Sequence, residues 1–241
     1  MTIFPLTLQR TARTYRGVLS FASTAHLPTE PEAYLHPLEF AQYQTLRIPA
    51  RQTSFLLGRF LARQTLHTYL GEASPDVYLT SGVFQQPLVV GTPTSVGVSL
   101  SHTADQAACL VFSEEHPMGV DLERVQPGNW ENIGSQLTPH EKGLWDGKES
   151  MDAFYTRLWT VKEALSKVLR TGLTVSMEFY EIASVTRQKD LTCCQFKHFL
   201  QYKALTFAWN ACFCTVVLPA ESEYTMTEAR EKIDLRRRLY S

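Results

Sequence analysis

Between residues 51 and 70 the apolar side chains Leu56, Leu57, Phe60, Leu61 and Leu66 recur at helical spacing, and Gly71 follows as a natural left-handed stop. The pattern predicts a helix over 51–70. Downstream, the apolar positions fall in short runs at 77–79, 88–90, 96–100 and 107–112, punctuated by glycine and proline. These predict a small antiparallel sheet beside that helix. The first fifty residues carry Pro5, Pro28, Pro31 and Pro37 between short apolar pieces and predict one strand near 16–21, then loop and a short helix.

After Glu114-Glu115-His116-Pro117 the order begins again, with a strand at 118–122, helical stretches, and a long helix over 152–170. Strands are predicted at 178–185 and twice more between 196 and 218. The second half resembles the first in its order of elements, with no residue-level repeat, so the chain reads as an architectural duplication that breaks near Pro117. Residues 227–241 read as a charged, helical, frayed tail whose Arg236-Arg237-Arg238 run is a solvated face.

The 241 residues, 44% hydrophobic and 20% charged, exclude disordered, collagen-like and coiled-coil chains and suit one large domain or two small ones. With 23 Lys and Arg against 24 Asp and Glu, no global basic field draws nucleic acid or an anionic membrane, so any anion site is local. The five cysteines match neither a zinc-ligand ladder nor a disulfide framework and read as reduced, small core hydrophobes. No leader and no run of eighteen apolar residues is seen, and the expectation is a soluble, cytoplasmic protein.

Three segments carry candidate chemistry. In a strand over Gly119-Val120-Asp121-Leu122-Glu123, Val120 and Leu122 point to the core while Asp121 and Glu123 stand side by side on the other face. Such a pair is either an exposed strand end or a site for a hard divalent cation, which binds one or two carboxylates plus substrate phosphate. On the long helix, Leu158, Val161, Leu165, Val168 and Leu169 form an apolar stripe, and Trp159, Lys162, Glu163, Ser166 and Lys167 gather on a neighbouring face. Glu163 and Lys167 at i and i+4 could be a plain helix pair worth roughly 0.2–0.5 kcal/mol, but an indole on that face usually covers something. Ser101 and His102 end the strand at 96–100, where hydroxyl and imidazole suit either a turn or a phosphate oxygen. Arg59 and Arg63, one helical turn apart, read as a solvated stripe or as a phosphate clamp.

The segments Gly58-Arg59-Phe60-Leu61-Ala62-Arg63, Ser99-Leu100-Ser101-His102, Gly119-Val120-Asp121-Leu122-Glu123 and Trp159-x-x-Lys162-Glu163-Ala164-x-x-Lys167 follow one another in a fixed order. In order and spacing they resemble the 4'-phosphopantetheinyl transferase superfamily, in particular its larger single-chain group of the surfactin-synthetase-activator type; the likeness covers residues 51–175. The resemblance implies an α+β fold of two similar subdomains related by a pseudo-two-fold axis, each a small antiparallel sheet packed on a long helix. Residues 1–117 would supply coenzyme A nucleotide contacts and 118–241 the metal and catalytic residues, with the active site in the cleft between.

The implied reaction moves the phosphopantetheine arm of coenzyme A to a serine of an acyl or peptidyl carrier protein, releasing adenosine 3',5'-bisphosphate. It serves fatty acid, polyketide or nonribosomal peptide synthesis. Asp121, Glu123 and Glu163 would hold magnesium, or manganese, with Glu163 also the base; Lys167 would neutralise a pyrophosphate oxygen, and Ser101 and His102 would bind coenzyme A phosphates. Where the group commonly carries Gly-Lys-Pro, this chain reads Gln85-Gln86-Pro87, so the contact falls to Gln86 and Pro87 and affinity rests more on Arg51, Arg59 and His102. Thr103 stands where a serine is frequent. The resemblance implies a monomer. The competing readings are a non-catalytic module of the same fold that binds coenzyme A or carrier, and a magnesium-dependent phosphohydrolase in which water replaces serine.

Overall fold

The computed structural model describes residues 1–71 and 76–226, and the predicted tail over 227–241 lies outside them. The chain divides after Pro117 into two compact units. The first contains β1 (Thr2–Gln9), β2 (Thr14–Ser23), α1 (Pro37–Thr45), α2 (Pro49–Leu70), β3 (Tyr78–Ser81), β4 (Pro87–Val90), β5 (Val96–His102) and β6 (Gln106–Ser113). The second contains β7 (Gly119–Arg124), α3 (Trp130–Gly134), α4 (Pro139–Gly143), α5 (Met151–Leu169), β8 (Ile182–Gln188), β9 (Leu191–Phe196), β10 (Tyr202–Trp209) and β11 (Cys212–Pro219). A last strand, β12 (Glu223–Met226), returns to the first unit and pairs with β1.

Each unit is built on a five-stranded antiparallel sheet, ordered β12-β1-β2-β6-β5 in the first and β7-β11-β10-β9-β8 in the second, so the fold is α+β. In the first, α2 buries Leu57, Leu61 and Leu66 with Ala107, Cys109 and Val111 of β6, and Gly71 at φ 84 closes the helix by returning its N–H to His67. In the second, Ser150 caps α5 by accepting from the Ala153 N–H, and Leu158, Val161 and Leu165 pack onto Cys194, Ala204 and Val217. The cysteines are free; four are buried, and burial pushes the Cys109 and Cys194 thiols up to about 12.

Four local features depart from the sequence reading. Strand β1 is present despite Pro5, which stands opposite Val18 of β2. Strand β9 is an added member of the second sheet. Residues 177–180 form a 3-10 turn, and the strand starts only at Ile182. A residue-level repeat also exists: Leu35-His36-Pro37-Leu38-Glu39 and Leu137-Thr138-Pro139-His140-Glu141 each open a short helix with proline in its first turn and a glutamate closing a capping box. No helix among the described residues is long and apolar enough to cross a membrane.

Candidate active site

The site in the second unit is made by the closeness of β7 to α5. A side chain at Gly119 would place its Cβ 2.4 Å from the Ala164 carbonyl oxygen and 2.8 Å from Val168 Cγ2, so only glycine admits the helix at this distance. Side chains alternate along β7, and the face that meets α5 is therefore that of Gly119, Asp121 and Glu123. Val120 and Leu122 are fully buried on the opposite face. Of the two readings of this pair, the exposed strand end does not hold for Asp121: α5 covers that face, and Asp121 is only 2% exposed.

Four predicted side chains meet at this junction. The Lys167 ammonium donates to Asp121 Oδ1 at 2.7 Å, so its direct ion pair is with the strand rather than with Glu163 one turn away. The Trp159 indole lies by the Glu123 carboxylate and favours its charged form. Glu123 and Glu163 are both partly buried, and both are pushed up to about 7. In each, burial is the larger cause and the charge of Asp121 the next, while Lys167 opposes the shift. Beside Asp121, the sheet neighbour Thr215 shares hydrogen bonds of 2.7 Å with Thr160 of α5 and with Thr206. A hydroxyl cluster thus lies beside Asp121, while the sheet neighbour of Glu123 is Phe213.

Three carboxylates facing one lysine leave an excess of negative charge, and that donor chemistry fits a hard divalent cation. Among the described residues no three such groups are gathered into a ready-made cage. The set therefore offers one or two carboxylates at a time, the protein share that magnesium takes when phosphate oxygens and water complete its shell.

The neighbouring face of α5 is less polar than its sequence suggests, since Lys162 and Ser166 are buried. Lys162 is 0% exposed and holds Glu141 at 2.7 Å; Glu141 is a residue the sequence reading missed, although the repeated Leu-x-Pro-x-Glu was there to find it.

In the first unit, Ser101 is buried and His102 exposed at the end of β5, on opposite faces of the strand; Gln86 directly precedes β4, which starts at Pro87 and contacts β5. The Gln86 side chain folds back over its own hairpin, where Oε1 accepts the Phe84 N–H at 3.0 Å. Arg51 is exposed on the first turn of α2. The structure gives Arg59 a different task from the expected clamp: its Nε lies 3.2 Å from Glu39 Oε1, its guanidinium covers the Phe55 ring, and its side chain is 11% exposed.

A sequence model of the 4'-phosphopantetheinyl transferase superfamily matches residues 117–227. The chain is similar to the 4'-phosphopantetheinyl transferases psf-1 of Bacillus pumilus, 26% identical over 135 residues, and gsp of Aneurinibacillus migulanus, 23% identical over 130. These matches cover 55% and 53% of this chain and 56% and 52% of the relatives. The chain thus spans about half the length of the curated relatives it matches. A holo-(acyl-carrier-protein) synthase of Bacillus anthracis, solved in complex with CoA (3',5'-ADP), aligns with a TM-score of 0.35 at 17% identity, over 46% of this chain and 96% of its own.

Proposed function

We propose, from the match of residues 117–227 to the 4'-phosphopantetheinyl transferase superfamily, that the chain is a member and transfers the phosphopantetheine arm of coenzyme A to a serine of an acyl or peptidyl carrier protein. The observation that carries this reading is the junction of β7 and α5, which gathers Asp121, Glu123, Glu163 and Lys167. The serine hydroxyl attacks the phosphorus that bears the pantetheine arm, the pyrophosphate bond breaks, and adenosine 3',5'-bisphosphate leaves. Glu163, directly or through a water, takes the serine proton. Lys167 exchanges part of its contact with Asp121 for a pyrophosphate oxygen. Asp121, Glu123 and Glu163 would hold magnesium one or two at a time, and the ion would supply positive charge for the pyrophosphate. Manganese satisfies the same oxygen donors.

Ser101 and His102, with Arg51, take the phosphates of the nucleotide end. Gln86 and Pro87 keep a smaller part in that contact, the Gln86 amide being held by its own hairpin. Arg59 orders the first unit through Glu39 and reaches the ligand indirectly.

One experiment separates this function from its two rivals. The protein is mixed with coenzyme A and magnesium, with and without an apo carrier, and the products are weighed by mass spectrometry. Transfer adds one phosphopantetheine to the carrier and releases the bisphosphate only when carrier is present. Bisphosphate released without carrier is hydrolysis, and bound but unconsumed coenzyme A is a binding module; either result overturns the proposal.

A further inference from the structure

Lys162 is a large, charged side chain with no access to solvent, one residue before Glu163, and the transfer chemistry leaves it without a task. Its ammonium sits 2.7 Å from Glu141 Oε2 and donates to the carbonyls of Gln136 at 3.1 Å and Met177 at 2.9 Å. Glu141 in turn accepts the Thr138 N–H at 2.8 Å, closing the capping box of α4, and the Ile182 N–H at 2.9 Å, at the first residue of β8. One buried ion pair thus ties α5 to the segment before α4, to α4 itself, to the 3-10 turn and to β8.

The first unit contains the same device. Glu39 closes the α1 capping box by accepting the His36 N–H at 3.1 Å, accepts the Leu79 N–H at 2.9 Å where β3 begins, and lies 3.2 Å from Arg59 on the long helix α2. Each device fixes a long helix by a basic residue at its middle. In α2 the residue after the lock is Phe60; in α5 it is Glu163. The lock is therefore a property of both units, and only in the second does it stand next to a candidate base.

We propose that Lys162 is a positioning residue: with Glu141 it fixes the rotation and depth of α5, which hold Glu163 and Lys167 against Asp121. Adjacent helix residues project about 100° apart, so a helix held at Lys162 cannot turn Glu163 away from β7 without breaking three contacts of one ammonium. The proposal rests on the transferase reading for its catalytic consequence. Its structural consequence, a change where α5 meets Glu123, stands apart from that reading.

The test compares Lys162→Met, which keeps the length and removes the charge, with Lys162→Arg, which installs the base that the first unit uses. Two readouts are taken at a temperature where circular dichroism shows the variants folded: transfer kinetics, and the fluorine NMR signal of fluorotryptophan at Trp159, assigned with Trp159→Phe. Lys162→Met is expected to lower kcat by on the order of 10²-fold, as a misplacement of about 1 Å does, with a smaller change in KM for coenzyme A and a displaced Trp159 signal. Lys162→Arg is expected to restore the signal and most of kcat. Wild-type kcat in the folded fraction of Lys162→Met with an unmoved Trp159 signal would make the pair a stability device alone and overturn the proposal. If Lys162→Met does not fold, Glu141→Gln decides by the same two readouts. If the wild-type protein transfers nothing, the transferase reading falls, and the Trp159 signal by itself judges the lock.

Discussion

Gly119→Ala puts the junction of β7 and α5 under direct strain. The added methyl would lie 2.4 Å from the Ala164 carbonyl oxygen, whereas ordinary contact begins at 3.4 Å, so strand and helix must separate by about 1 Å. Neither obstacle is the loose end of a long side chain: one is backbone, the other a β-branched methyl at 2.8 Å. Overpacking of this kind costs about 1–3 kcal/mol. The same separation stretches the 2.7 Å contact between Lys167 and Asp121, two residues along the strand, and lifts Glu163 away from both acids of β7. Misplacement of that size in a catalytic set lowers the rate by on the order of 10²-fold. Urea unfolding gives the first quantity and transfer kinetics at a temperature where the variant is folded give the second. A Gly119→Ala protein with wild-type stability and wild-type rate would show that the spacing of strand and helix does not set the site.

Two further outcomes follow from the electrostatics. Glu123 and Glu163 have folded-state values raised from 4.5 to about 7, so between those pH values the native protein binds more protons than the unfolded chain, and metal-free stability falls as pH rises through this window. The melting temperature without divalent ions should therefore drop from pH 5 to pH 7, less so in Glu123→Gln; equal slopes for variant and wild type would contradict the assignment. In the first unit, His102→Ala should weaken calorimetric binding of coenzyme A more than of its 3'-dephospho form, and equal losses would move His102 to the pyrophosphate.

Much of the scaffold was legible because periodicity reports burial: the stripe Leu158, Val161 and Leu165 is fully buried as its spacing demands, and Gly71 takes the left-handed stop. Alternation along β7 was legible too, and put Asp121 and Glu123 on one face. What covers that face was not, since the approach of α5 depends on a missing Cβ at Gly119 that no pattern of polar and apolar residues encodes. Lys162 looked like a surface charge because its partner Glu141 lies 21 positions earlier and on another element. Arg59 could be read as solvated for the same reason, its carboxylate partner being Glu39. Residues 178–180 of the 3-10 turn were read as strand because Phe179 and Tyr180 lead into the apolar run of β8, and apolarity alone does not fix the backbone.

The central claim is that Glu163 acts as base at the junction of β7 and α5, and a single-turnover assay of Glu163→Gln tests it most directly. The substitution keeps the shape and one acceptor oxygen but removes the ability to take a proton. With saturating coenzyme A, apo carrier and excess magnesium, the rate should fall by roughly 10²–10⁴-fold while calorimetry still finds coenzyme A bound. A plain surface ion pair would be worth at most about 1 kcal/mol of stability and would leave the rate alone. Near-normal turnover in Glu163→Gln would remove Glu163 from the chemistry and contradict the account.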